Sequence, residues 1–301
     1  MGIGMRPKAL AVAAGVSALV SLVPATMGLA SSPVRSLAGA SAVNGAGAGK
    51  LIQIYKGSGG SATPNQSNNW SGYNQGLLEK GKTFHAITAD WVVPTASPQK
   101  RGEQEFSASW TGIGGGCVDA GCLVTDNTLI QAGTEQDIAA TNCSVTGIGC
   151  PLAAQYSAWF ELIPAPSVTV PLTVTAGNHV HVDIHETVTN SEVWSITIQN
   201  VSTGQTYQVT VPYTSSYATA EWIEETPIVC CPPQVGPLPK LGKVTFDPGT
   251  VNGSNPALVA SEEIQLVDFT GHVLATPSAP DSERDGFGDC TYASSCSAPS
   301  S

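Results

Sequence analysis

From Asn69 onward the chain alternates apolar and polar residues in short bursts, each stopped by glycine, proline or a small polar turn. A period of two marks a half-buried strand, because successive side chains leave a pleated backbone on opposite faces. The pattern predicts strands over 84–93, 106–113, 128–133, 155–163, 168–175, 180–188, 193–200, 207–211, 220–225, 244–246, 263–269 and 286–293. Thr203-Gly204, Asp247-Pro248-Gly249 and Thr270-Gly271 are read as turns between them. Within 155–163 the alternation puts Tyr156, Ala158, Phe160 and Leu162 on one face and Trp159 and Glu161 on the other. No amphipathic stretch of three helical turns and no fixed-period repeat breaks this text. The expected fold class is all-β, an antiparallel two-sheet β-sandwich.

The N-terminal part reads differently. Arg6 and Lys8 precede an apolar run over 9–23, and small residues lead up to Ala30, which together describe a signal peptide over 1–30. Residues 31–63 carry Arg35, Lys50 and Lys56 without periodicity, and the first acidic residue is Glu79, so they read as a flexible leader or basic pro-segment. The sandwich is expected to occupy 64–301. No later stretch is long and apolar enough to span a bilayer, so a secreted, extracellular monomer is expected, with no membrane association after signal removal. In that setting eight cysteines imply disulfides. They fall in close pairs, Cys117 with Cys122, Cys143 with Cys150, Cys230 with Cys231 and Cys290 with Cys296. Bonding the adjacent pair would strain the peptide between them.

Charge narrows the function. Only 12% of residues are charged, the formal net charge is −11, and Lys and Arg are absent between Arg101 and Lys240. Nucleic acid and anionic membranes both need clustered cations and are excluded as partners. Acids instead crowd into Ala220-Glu221-Trp222-Ile223-Glu224-Glu225-Thr226. Unpaired carboxylates raise one another's pKa, an arrangement met at catalytic sites as well as on solvated strand edges. His179, His181 and His185 share a strand face with Asp183. A third ligand four residues along a flat strand lies about 13 Å away, which suits a polar face better than zinc, and no metal or cofactor is expected. Gly-x-Ser-x-Gly, Asp-Thr-Gly, Asp-Ser-Gly and the dinucleotide fingerprint Gly-x-Gly-x-x-Gly are all absent.

What remains is a series of amides, acids and tryptophans in a fixed order. NWSG stands at Asn69–Gly72, VVP at Val92–Pro94, SWTGIG at Ser109–Gly114 and LIQAG at Leu129–Gly133. AWFE follows at Ala158–Glu161, then NVSTGQ at Asn200–Gln205 and AEWIEE at Ala220–Glu225. In these motifs the chain resembles the glutamic peptidases, or eqolisins, over most of the expected mature domain. The resemblance implies two stacked, curved sheets of the concanavalin and lectin–glucanase kind, with an active site on the concave face. It implies acid endopeptidase activity on protein or peptide substrates, with Gln131 and Glu225 as the catalytic dyad. Glu221 shares the nominal strand face of Glu225, so alternation does not separate them; motif position favours Glu225. Trp70, Trp110, Trp159, Glu135, Glu161 and Glu221 are the implied substrate-side residues. Gly114, Ser157 and Ile163 depart from the pattern of the fungal members, where acids and an aromatic stand, which leaves substrate preference and pH optimum open.

The chemistry of such a dyad is coherent. A carboxylate can take a proton from water as it attacks the scissile carbonyl and return it to the leaving amine. An amide cannot ionise but can donate hydrogen bonds to the developing oxyanion. Two other classes fit the same residues: a non-catalytic, lectin-like sandwich binding glycan through Trp110 and Trp159, and a glycoside hydrolase using a pair such as Glu161 and Glu225.

Overall fold

The computed structural model describes residues 65–141, 151–230 and 232–300, together with the backbone of the strand Ile54–Lys56. The expected signal peptide, most of the expected leader, and the pair Cys143 and Cys150 lie outside the described residues. Thirteen strands form the frame: β1 (Trp70–Gly76), β2 (Ala86–Val92), β3 (Ala108–Gly114), β4 (Leu129–Ala140), β5 (Leu152–Ile163), β6 (His179–Glu186) and β7 (Val193–Asn200). The others are β8 (Gln205–Pro212), β9 (Thr219–Glu225), β10 (Lys243–Val251), β11 (Glu263–Val267), β12 (Val273–Pro277) and β13 (Phe287–Thr291). They hydrogen-bond in the order β8-β7-β6-β2-β10-β13-β12-β11-β1-β9-β3-β4-β5, and every neighbouring pair is antiparallel.

The ribbon folds back on itself because one face of each half is apolar. Ile87, Ala89, Trp91, Val180, Val182, Ile184, Trp194, Ile196 and Phe246 from one leaf share a core with Tyr73, Ile113, Ile130, Ala132, Phe160, Ala220 and Trp222 from the other. Two indoles stitch the leaves together. Trp91 Nε1 donates to Thr134 Oγ1 at 3.1 Å, and Trp222 Nε1 donates to the Thr88 carbonyl at 2.9 Å. Each buried indole finds an acceptor on the facing leaf, which fixes how the layers slide against each other. The fold is therefore the expected antiparallel sandwich.

Several boundaries differ from the sequence reading. The strand expected over 128–133 runs on to Ala140, since Thr134, Gln136 and Ile138 keep the buried phase past Gly133. The strand expected over 168–175 shrinks to Val168–Thr169, because the rest of that stretch lies on the core without a ladder partner. Asp247-Pro248-Gly249 is not a turn between strands. It sits inside β10 as an irregularity in the pairing with β2 between Phe246 and Gly249. Ile54–Lys56, within the stretch read as leader, pairs with Asn65–Ser67, which in turn runs parallel to β11. Among the described residues helix is limited to Leu77–Lys80 and a 3-10 turn at Ala260–Glu262, and no helix is long and apolar enough to cross a membrane. Two disulfides, Cys117–Cys122 and Cys290–Cys296, join cysteines that lie close in sequence, settling a connectivity the sequence leaves open, and Cys230 is also disulfide-bonded.

Candidate active site

The leaf β1-β9-β3-β4-β5 has a second face, turned away from the core, and the antiparallel register arranges it in rows. Directly opposed residues in such a ladder point the same way. One row reads Asn74, Glu221, Gly112, Gln131, Glu161 across the five strands. The next reads Gly72, Ile223, Trp110, Gly133, Trp159, and the third Trp70, Glu225, Ala108, Glu135, Ser157. A tryptophan-bearing apolar row thus separates two polar ones. Every residue expected at the site from the sequence lies on this one face.

Glycines make the close approach possible. A Cβ on Gly133 would fall 2.6 Å from Trp110 Cβ, so only glycine lets the Trp110 indole lie across β4. Gly112 leaves the space between Glu221 and Gln131 clear; a Cβ there would sit 3.0 Å from Gln131 Cβ. Trp70 meets Trp110 edge to face with centroids 5.0 Å apart, and both pack with Trp159, Ile223 and Ile264 in a second apolar cluster.

The acids on this face live in distinct environments. Gln131 Nε2 donates to Glu161 Oε2 at 2.7 Å, with both groups buried. Burial pushes Glu161 up to about 8, the Gln131 bond only partly offsetting it. Glu221 is fully buried and burial raises its carboxyl well above the ordinary range, with Thr219 and the Gly116 amide offsetting little of it. The Cys117–Cys122 loop lies against Glu221, held by Asn74, whose side chain takes the Cys117 N–H at 2.7 Å and gives to its carbonyl at 2.9 Å. Glu135 is also raised by burial and takes the Ser157 hydroxyl at 2.7 Å.

Glu225 differs from all of these. Trp110 Nε1 donates to its Oε2 at 2.9 Å and Asn69 Nδ2 donates to its Oε1 at 3.2 Å. Two N–H donors, one on each oxygen, suit a carboxylate. Gln131 and Glu225 stand two strands apart and four residues apart in register, with Trp110 between them. Asn69 is the partner that sequence reasoning missed; its place beside Trp70 in the NWSG motif was the available signal. The neighbouring Glu224 belongs to the other face, where Ser109 Oγ donates to it at 2.6 Å.

The histidine strand has a plain structural role. His179 Nε2 and His181 Nδ1 each pair with one oxygen of Asp90, at 2.7 and 2.6 Å, and His185 pairs with Asp183 at 2.6 Å.

A sandwich whose outer leaf carries a Gln among four glutamates and three tryptophans can now be set beside known proteins. The model of the Peptidase A4 family matches residues 68–284. The chain belongs to the Peptidase A4 family, the eqolisins. It is thus a hydrolase of the glutamic endopeptidase class, with protein or peptide substrates. Its fold is similar to that of scytalido-glutamic peptidase with a transition state analog inhibitor. That similarity has 19% identity and a TM-score of 0.54, over 74% of this chain and 98% of that one. It is also similar to SCP-B, an eqolisin in complex with the tripeptide Ala-Ile-His, at 18% identity and a TM-score of 0.50 with the same coverage. At these identities the likeness speaks for the fold. No curated protein sequence matches the chain.

Proposed function

We propose that this eqolisin is a secreted endopeptidase that works in acid, with Glu225 as the base that activates water and Gln131 as the donor to the oxyanion. The observation that carries the assignment is the contrast between the carboxyls of one face. Burial pushes Glu161 up to about 8 and raises Glu221 well above the ordinary carboxylate range, whereas Glu225 is held by N–H donors on both oxygens. A protonated acid cannot accept a proton from water, so Glu225 is the better base at low pH. Curvature of the leaf has to bring the long Gln131 and Glu225 side chains toward one carbonyl, since their register offset is about 13 Å on a flat sheet. The buried Trp159 indole N–H, which has no acceptor among the described residues, is available to a substrate carbonyl.

Glu161 supplies the alkaline limit in this scheme. In acid it is neutral and orients the Gln131 amide. As pH climbs toward about 8 it ionises, placing negative charge beside the donor that must stabilise an oxyanion. Glu161→Gln keeps a neutral partner of the same shape at every pH. The variant is expected to retain acid activity within about tenfold. Its alkaline limb should move to higher pH, read from kcat/KM profiles on a fluorogenic peptide. An unmoved limb would remove Glu161 from this role.

The direct test is digestion of denatured casein or haemoglobin between pH 2 and 8 by the purified protein, with pepstatin present. N-terminal sequencing of the secreted material shows where leader and catalytic domain part. Cleavage in acid that resists pepstatin supports the proposal. Glycan binding without peptide cleavage would favour the lectin-like alternative.

A further inference from the structure

Away from the site face, three aspartates meet where the irregular part of β10 touches the turn before β13. The carboxylates of Asp247, Asp281 and Asp285 each offer an oxygen, and these oxygens all lie within 4.8 Å of one another. No ion pair among the described residues involves any of the three. The basic group nearest in sequence, Arg284, spends its guanidinium on backbone carbonyls, Nε on Leu258 O at 3.0 Å and Nη2 on Ala257 O at 2.9 Å. Asp281 is 6% exposed. Its Oδ1 accepts the backbone N–H groups of Arg284 at 2.6 Å and Asp285 at 3.2 Å, but its buried Oδ2 has no hydrogen-bond partner among the described residues. That oxygen points into the cluster: a Cβ on Gly286 would lie 2.5 Å from it and 2.7 Å from Asp247 Cγ.

We propose that Asp247, Asp281 and Asp285 bind one divalent cation, calcium, as a structural site. Calcium accepts irregular sets of carboxylate and carbonyl oxygens at about 2.4 Å, whereas magnesium demands a near-ideal octahedron at about 2.1 Å and keeps several waters. An all-carboxylate set selects such hard ions over zinc or copper. The ion would satisfy the buried Asp281 oxygen and cancel three like charges that otherwise repel. The ion would also clamp two elements already joined by Gly249 N–H to Asp285 O at 2.7 Å, beside the stacked Phe246 and Phe287 of the core. The sequence reading expects no metal and weighs only the His face of β6; the proposed site joins aspartates 34 positions apart at their nearest, in β10 and the turn.

Calorimetry of the purified protein at pH 6 tests this, with melting measured in EDTA, in 5 mM CaCl2 and in 5 mM MgCl2, and with CaCl2 titrated isothermally. Calcium is expected to raise Tm by about 5 °C or more over EDTA, with one ion bound per chain and a smaller increment from magnesium. Asp247→Asn and Asp285→Asn are each expected to lose the calcium increment while melting in EDTA no lower than the unsubstituted protein, because each removes a repulsive charge. Equal melting in calcium and EDTA, an increment that survives in both variants, or equal increments from calcium and magnesium would each overturn the proposal. The titration on the unsubstituted protein decides the matter even if a variant fails to fold.

Discussion

Replacing Gln131 by alanine is expected to lower kcat/KM on a peptide substrate by about 10²- to 10³-fold, the usual loss for one oxyanion donor in a preorganised site. The variant should still fold. Gln131 contacts the face turned away from the core, and the neighbouring β4 residues Ile130 and Ala132, which hold the strand on the core, are untouched. Glu225→Gln is expected to cost about 10²-fold or more, since it removes the proposed base while keeping shape and hydrogen-bonding capacity for Trp110 and Asn69. Glu221→Gln is the informative control. A buried acid that is already neutral can become an amide with little effect in acid, so activity at pH 4 should stay within a few-fold. If Glu221→Gln were dead and Glu225→Gln active, the base would be Glu221, the in-row neighbour of Gln131 across Gly112. Melting curves for each variant separate a lost reaction from a lost fold.

Stability should fall as pH rises from 4 to 8, opposite to the behaviour of a protein held by ionised carboxylates. Burial pushes Asp289 and Glu263 up to about 7 and Glu161 up to about 8, and raises Glu221 and Glu224 well above their ordinary range. For such acids the folded protein binds more protons than the unfolded chain between the unfolded pKa and the folded one. The stabilisation is complete at low pH and drains away as pH climbs through the folded values. Asp289, fully buried and shifted from 3.8 to about 7, corresponds by itself to on the order of 4 kcal/mol across that window. Asp268, lowered chiefly by the Thr270 hydroxyl, works in the other direction and loses its contribution only at more acid pH than this window covers. Melting temperature is expected to drop by at least about 10 °C between pH 4 and pH 8. Asp289→Asn should flatten that slope. A Tm that stays level or rises over this range would contradict the burial argument for the whole group.

Alternation was the readable signal for the fold because each strand has one face on a common core. Val193–Asn200 came out residue for residue, with Trp194, Ile196 and Ile198 inward. The same rule placed Trp159 and Glu161 on the face opposite Ala158 and Phe160, where they are found. It failed at Asp247-Pro248-Gly249, where turn-forming residues serve as an irregularity inside a strand. Local composition cannot distinguish those two uses, because both need a chain that leaves the regular ladder.

By itself, then, the sequence determined the all-β class, the strand faces and the family, since all of these depend on neighbours close along the chain or on short ordered motifs. Only the tertiary structure decided the rows. It set Gln131 against Glu161, 30 residues away, and Glu225 against Trp110 and Asn69, 115 and 156 residues away. It also gathered Asp247 with Asp281 and Asp285. Burial and hydrogen-bond donors give otherwise identical carboxyl groups different protonation, and both come from strands that meet across a sheet rather than along a chain.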